Sequence, residues 1–311
     1  MKSTYIALFL SLLIFSCTNN PRNSSMANIK DAPKAKQITK ELSMHDDVRQ
    51  DAFYWLNERE NPEVIAYLDA ENAYYDSNTA HTKDFQTALF EEMKSRIKKD
   101  DSSVPYKYNG YWYITRYEKG KDYPVYTRKK ETLSAKEELL FDCNDMAKGH
   151  AYFNLRGLNI SPDNSLVAFA TDTIGRRQYN LHIKDLKTNS ILEDKVSNST
   201  GSSTWANDNK TLFYTLQNET TLRSEAIYKH TIGSNTKDDA LVYEEKDDTF
   251  GVGVYKTKSN KYLVISSYST LTTEYQILNA DTPNQSFKVF QPRTRGLEYS
   301  LAHYGDSFYV V

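Results

Sequence analysis

The sequence predicts a mainly β protein: a β-propeller preceded by an α-helical segment. Three observations predict it. Aromatic residues make up 13% of the 311 positions, with 24 tyrosines among them, and such side chains favour pleated, half-buried surfaces. The hydrophobic period changes from helical to alternating after Asp100-Asp101-Ser102-Ser103 and does not change back. One compound unit, a turn bearing Asn, Asp or Gly and then an apolar, aromatic strand, recurs every roughly 45 to 55 residues, near the spacing of a propeller blade.

The elements before the repeat follow in chain order. Lys2 and the apolar run Ile6–Phe15 are too short for a membrane span, which takes about 20 apolar residues, and fit a secretory signal. Ile14-Phe15-Ser16-Cys17 resembles a bacterial lipobox, so residues 1–17 are read as a signal peptide with Cys17 as the lipidation site. An ordinary cleaved signal is the alternative. Residues 18–44 are polar and rich in Asn, Ser and Pro, the composition of a flexible tether. Residues 45–100 form the helical segment. Asn61 caps a helix with Pro62 at its first position, and Val64, Ile65, Leu68 and Tyr75 recur along it. A second helix begins near Thr82, with Phe85, Leu89, Met93 and Ile97 on one face. Lys94, Arg96, Lys98 and Lys99 crowd its end, where they complement the helix dipole.

Residues 101–311 are read as a partial propeller. The repeating turns fall at about Asn109, Asn164, Asn209, Asn260 and Gly305, and a second family of strands lies between them ("YPVYTRKK", "YNLHIKDLKTN", "AIYKHTIGSN", "YQILNADTPN"). Together they make four-stranded blades. A β-sandwich would show turns every 8 to 12 residues without the long period. The count is four blades and the start of a fifth, and the expectation is that the ring continues beyond Val311.

Chemistry is sparse. A net charge of −2 argues against a nucleic-acid partner. Cys143 has no obvious partner, so no disulfide framework is expected. There is no G-x-S-x-G elbow, no H-E-x-x-H and no paired-cysteine pattern, so no catalytic, cofactor-binding or metal residue is assigned. Gly251 and Gly253 ease a strand start and form no dinucleotide loop. His45, His81, His150, His182, His230 and His303 lie outside any motif and read as turn or strand histidines. The Asp pairs beginning at Asp46, Asp100 and Asp247 read as solvated or capping residues.

"HDDVRQDAFYWLNERENPEVIAYLDAENAY" resembles the opening of the prolyl oligopeptidase family, through Asp51, Tyr54, Trp55, Leu56, Glu71 and Asn72. Ala52 stands where that family usually has Pro. "MKSRIKKDDSSVPYKYNGYWYITRYEKGKDYPVYTRKK", "GHAYFNLRGLNISPDNSLVAFATDTIGRRQYNLHIKDL" and "TWANDNKTLFYTLQNETTLRSEAIYKH" are similar to its oligopeptidase B (protease II) subfamily, except that Ser224 replaces a usual Pro. The resemblance runs from about residue 45 to residue 311. It implies a seven-bladed propeller that gates a serine-type endopeptidase cleaving short peptides after Arg or Lys. It places the Ser, Asp and His of the triad in an α/β-hydrolase domain C-terminal to the propeller, absent here, so this chain alone is expected to be inactive. The expected partners are short peptides and, through a lipid on Cys17, the bacterial cell envelope at its periplasmic or outer surface. The alternative is a lipid-anchored, non-catalytic binding propeller.

Overall fold

The computed structural model describes residues 31–311; the expected signal peptide, Cys17 and the first part of the expected tether lie outside them. Residue contacts divide the chain into two units, residues 1–97 and 98–311.

The first unit departs from the expected tether. Lys40–Met44 pairs antiparallel with Asp47–Asp51, so the tether does not reach residue 44 and a hairpin precedes the helices. The hairpin has no alternating apolar pattern. Its two-residue loop makes it, because His45 and Asp46 both take positive φ, 49° and 64°, as a type I′ turn requires. Helix α1, Pro62–Thr79, begins as expected: the Asn61 side chain accepts from the Glu63 amide, and Pro62 sits in the first turn. Trp55 is buried, and its indole N–H donates to the Lys36 carbonyl at 2.8 Å. A 3-10 turn, Ala80–Thr82, leads into α2, Lys83–Ser95. The apolar face of α2 is exposed, including Phe85, Leu89 and Met93. The basic residues at its end are paired, Lys94 with Glu91 and Arg96 with Glu92.

The second unit holds four complete blades and two strands of a fifth. Blade 1 consists of Tyr106–Tyr108, Tyr111–Tyr117, Val125–Lys130 and Glu137–Asp142. Blade 2 begins with Asn154–Ile160, Leu166–Asp172 and Tyr179–Asp185. Its outer strand is the start of one long strand, Ile191–Trp205, whose later part is the inner strand of blade 3. Blade 3 continues with Thr211–Gln217, Ser224–Thr231 and Ala240–Glu244. Blade 4 comprises Gly251–Lys256, Tyr262–Tyr268, Thr273–Asn279 and Lys288–Val289. Blade 5 has Leu301–Tyr304 and Ser307–Val310. Short helical turns do return, contrary to expectation, in α3, Cys143–Met146, capped by the Asp142 carboxylate between blades 1 and 2, and in a 3-10 turn, Thr236–Asp238.

The core lies between blades. Side chains alternate across a strand, so a central strand buries both faces. In Leu166–Asp172, Val167 and Phe169 pack toward blade 1 with Phe141, Phe153 and Cys143, whereas Ala168 and Ala170 pack toward blade 3 with Trp205 and Leu212. Phe213 and Ile227 of blade 3 meet Val252, Leu263 and Ile265 of blade 4. Large residues on one side and alanines on the other let neighbouring sheets interdigitate at close-packed density.

The repeating turns also join the blades. Asn109, Asn164, Asn209 and Asn260 all adopt positive φ, between 46° and 63°, a conformation Asn tolerates better than most residues. Asn109 donates its side-chain amide to the Pro162 carbonyl at 2.6 Å, and Asn164 returns one to the Asn109 carbonyl at 3.2 Å. Asn209 accepts from the Asp163 amide at 2.8 Å, and Asn207 donates to the Asn260 carbonyl at 2.9 Å. Lys261 pairs with Asp306 of blade 5. The residues that mark the period in the sequence thus tie each blade to the next.

Candidate functional site: the axial cavity

The inner strands of blades 1 to 4 converge on a cavity of about 280 Å³ beside the repeating turns. Tyr108 comes from blade 1, Asn159 from blade 2, Ser203 from blade 3, and Lys256, Lys258 and Asn260 from blade 4. Backbone geometry fixes their approach. Asn159 donates its amide to the Ser203 carbonyl at 2.7 Å, and the Trp205 indole donates to the Asn159 carbonyl at 2.9 Å, locking blades 2 and 3 together. Gly157 lies close by with φ +68°; a Cβ there would sit 2.0 Å from the Gly201 carbonyl oxygen, so no larger residue fits. At the other end of the inner strand of blade 4, a Cβ on Gly251 would meet the Ser224 hydroxyl at 3.1 Å and the Tyr268 ring at 3.2 Å. The strand begins at Gly251, in keeping with the expected strand start, and the missing side chain lets its neighbours pack close.

Lys256 is the charged group set deepest at this cavity. Its Nζ donates to Asn207 Oδ1 at 3.0 Å. Burial pulls its pKa below the usual lysine value, and nearby Asp281 opposes that shift.

The six histidines occupy structural positions. His182 stacks on Phe169 with centroids 5.3 Å apart, and burial, with a smaller effect from Lys195, lowers its pKa to about 4. His303 Nδ1 lies 2.8 Å from the Ser259 hydroxyl, beside a cavity of about 940 Å³ between blades 4 and 5. No carboxylate hydrogen-bonds the His303 ring among the described residues, so this serine–histidine pair lacks the orienting member of a triad and acts as a tie between blades. His81 bonds the Asn78 carbonyl, while His150 stacks near Phe153. His45 shapes the hairpin turn.

His230 is the one that sequence reasoning undervalued. It is almost fully buried, with Nδ1 2.7 Å from Asp239 Oδ1 and Nε2 2.7 Å from Asp194 Oδ1. The Gly233 amide also donates to Asp194, and the Tyr214 hydroxyl donates to Asp239. This cluster clasps the outer strand of blade 2 to blade 3. The histidine is enclosed by its own hydrogen bonds, while Asp194 and Gly233 also border a surface cavity of about 580 Å³; the ring itself joins two strands and supports structure. A third charged cluster joins Arg293 to Glu245 and Glu274, with the guanidinium carbon 3.9 Å from the Phe250 ring centroid. Cys143 is a buried free thiol whose pKa burial pushes up to about 12. Among the described residues no group of His, Cys, Asp and Glu is arranged to hold a metal ion.

Comparisons with known proteins agree with this architecture. The family profile described as prolyl oligopeptidase, N-terminal beta-propeller domain, matches residues 33–311. Dipeptidyl aminopeptidase BI of Pseudoxanthomonas mexicana is 37% identical over the whole chain and 45% of its own length. Protease 2 of Moraxella lacunata is 32% identical over 90% of the chain and 41% of its own length. The structure of oligopeptidase B from Leishmania major superposes with a TM-score of 0.82 at 28% identity, covering 90% of this chain and 42% of that one. Oligopeptidase B from Trypanosoma brucei with covalently bound antipain superposes with a TM-score of 0.80 at 26% identity and the same coverage. The chain spans less than half the length of these relatives. A profile covering nearly the whole described chain, together with blades that superpose on solved oligopeptidases, shows that the chain belongs to the prolyl oligopeptidase family, as its N-terminal β-propeller domain.

Proposed function

We propose that this propeller is the substrate-admitting part of a serine oligopeptidase that hydrolyses short peptides after Arg or Lys. The carrying observation is the likeness to two oligopeptidase B structures across 90% of the chain. The chemistry would be acyl transfer through Ser, His and Asp supplied outside these 311 residues. The propeller's part is steric: blades laced together by Asn turns and interblade cores present a rigid wall that admits a short peptide and excludes a folded protein. The test uses the native protein from its source. It should cleave fluorogenic peptides carrying Arg or Lys before the scissile bond and leave folded proteins intact, while the 311-residue chain alone turns over neither. Cleavage of folded proteins at a similar rate would refute the gate.

A second reading has its own support, since the relative at 37% identity is named a dipeptidyl aminopeptidase. Substrates with free and with acetylated N-termini separate the two: an oligopeptidase tolerates the acetyl group, and an aminopeptidase does not. A third reading, a non-catalytic binding propeller, predicts no hydrolysis by the native protein.

We also propose that Cys17 carries lipid and holds the protein on the bacterial cell envelope. The supporting features are the apolar run ending in Ser16-Cys17 and the polar stretch after it. Labelled fatty acid should enter the wild-type chain and not Cys17→Ala; equal labelling of both would refute the anchor.

A further inference from the structure

The axial cavity has two features that steric gating does not explain. First, it is cationic. Lys256 and Lys258 both line it, and no acidic residue does. Among the described residues neither lysine has a carboxylate within salt-bridge distance. Lys256 spends one of its three protons on Asn207, leaving two for another acceptor. Second, the nearest acidic influence, Asp281, is engaged elsewhere, because its Oδ1 accepts the Asn207 amide at 2.7 Å. A cation with free donors and no competing acid in one concavity describe a receptor for negative charge.

We propose that the axial cavity binds an anionic group, a phosphate or a carboxylate, between Lys256 and Lys258. Ammonium-to-oxyanion hydrogen bonds are the charge-assisted kind, roughly twice as strong as neutral ones. The anion has two possible sources, an inorganic ion or the C-terminal carboxylate of a short peptide, and the chemistry at Lys256 is the same for both. The inference does not rest on the peptidase reading, since it concerns binding and no turnover.

The test is isothermal titration calorimetry of the full chain at pH 7 and low salt. The ligands are inorganic phosphate, an acetylated dipeptide with a free carboxylate, and the same dipeptide as its C-terminal amide. Saturable binding of phosphate or of the free-carboxylate peptide, without binding of the amide, is expected. Tighter binding of phosphate assigns an inorganic ion; tighter binding of the peptide assigns a peptide end. Lys256→Gln should weaken binding roughly tenfold, the loss of one hydrogen bond to a charged group, and Lys258→Gln should weaken it less. Lys148→Gln, whose lysine pairs with Asp145 away from the cavity, should bind as wild type. Lys258 is exposed, so its variant decides the question even if Lys256→Gln unfolds. Absence of saturable binding, equal binding of the amide, or wild-type affinity in both lysine variants would overturn the proposal.

Discussion

Replacing His230 by alanine should cost this propeller more stability than its single position suggests. The imidazole lies between two carboxylates at 2.7 Å on either side, and the side chains are only 2% exposed for the histidine, 7% for Asp194 and 3% for Asp239. Alanine removes two buried hydrogen bonds and leaves two acidic groups facing an empty ring site. A hydrogen bond to a carboxylate contributes about 1.5–3 kcal/mol, so the loss of two costs about 3–6 kcal/mol. The Gly233 amide and the Tyr214 hydroxyl still hold one oxygen of each carboxylate, so the lower half of that range applies, about 3–4 kcal/mol. Urea unfolding followed by tryptophan fluorescence measures it, and Trp205, fully buried between blades 2 and 3, is a suitable reporter. With an m-value of about 3 kcal/mol/M for a chain of this size, the midpoint should fall by about 1 M. The decisive control is Asp194→Asn added to His230→Ala. Neutralising one stranded acid should recover about 1 kcal/mol or more, a coupling of the size seen between residues in contact. A loss below about 1 kcal/mol for His230→Ala, or no recovery in the double variant, would refute the view that this cluster clasps blade 2 to blade 3.

Further expectations follow from other groups. His182 has a folded-state pKa of about 4 against an ordinary 6.5, so between those values the unfolded chain binds the extra proton. Stability therefore rises with pH across that window and is lost on acidification from about pH 6.5 to about pH 4. The full shift is worth about 3 kcal/mol, and partial exposure of the ring reduces this to about 2 kcal/mol; His182→Gln should flatten the slope of the unfolding midpoint over that range, and an unchanged slope would contradict it. The Cys143 thiol, buried and raised to about 12, should resist a thiol reagent at pH 8 in the folded chain and react at the rate of a free thiol in urea. Asn164, at φ 63°, donates its side-chain amide to the Asn109 carbonyl; glycine and valine both forfeit that bond, at about 1 kcal/mol, and valine should cost about 1–2 kcal/mol more from left-handed strain, so similar melting temperatures for the two variants would contradict this.

Much of the propeller was legible because its signal is local. A tight turn at the repeating position needs positive φ, Asn supplies it cheaply, and Asn109, Asn164, Asn209 and Asn260 therefore mark the period in the sequence as well as in the fold. The strands after residue 101 were legible for a similar reason: those with one covered face alternate, and a central strand such as Leu166–Asp172, buried on both faces, reads as a continuous apolar run. The hairpin at residues 40–51 was not legible. Lys-Glu-Leu-Ser-Met and Asp-Val-Arg-Gln-Asp carry no buried face, and the hairpin rests on backbone pairing and the paired positive φ values of His45 and Asp46.

Sites were harder to read than blades because they are assembled across the period. His230 meets Asp239 nine residues away and Asp194 thirty-six residues away, in a strand that belongs to two blades at once. Ile191–Trp205 is one strand whose start clasps His230 while its end lines the axis with Ser203. The axial cavity carries the same lesson further. Lys256 and Lys258 stand in an ordinary strand end, "VGVYKTKSN", and nothing in that stretch separates them from the other lysines of the chain. What distinguishes them is company: the inner strands of blades 1 to 3 bring hydroxyls and amides to the same concavity and bring no acid. A charge without a counter-charge is visible only after the blades are in place, so the receptor for negative charge is a property of the ring and of no single repeat.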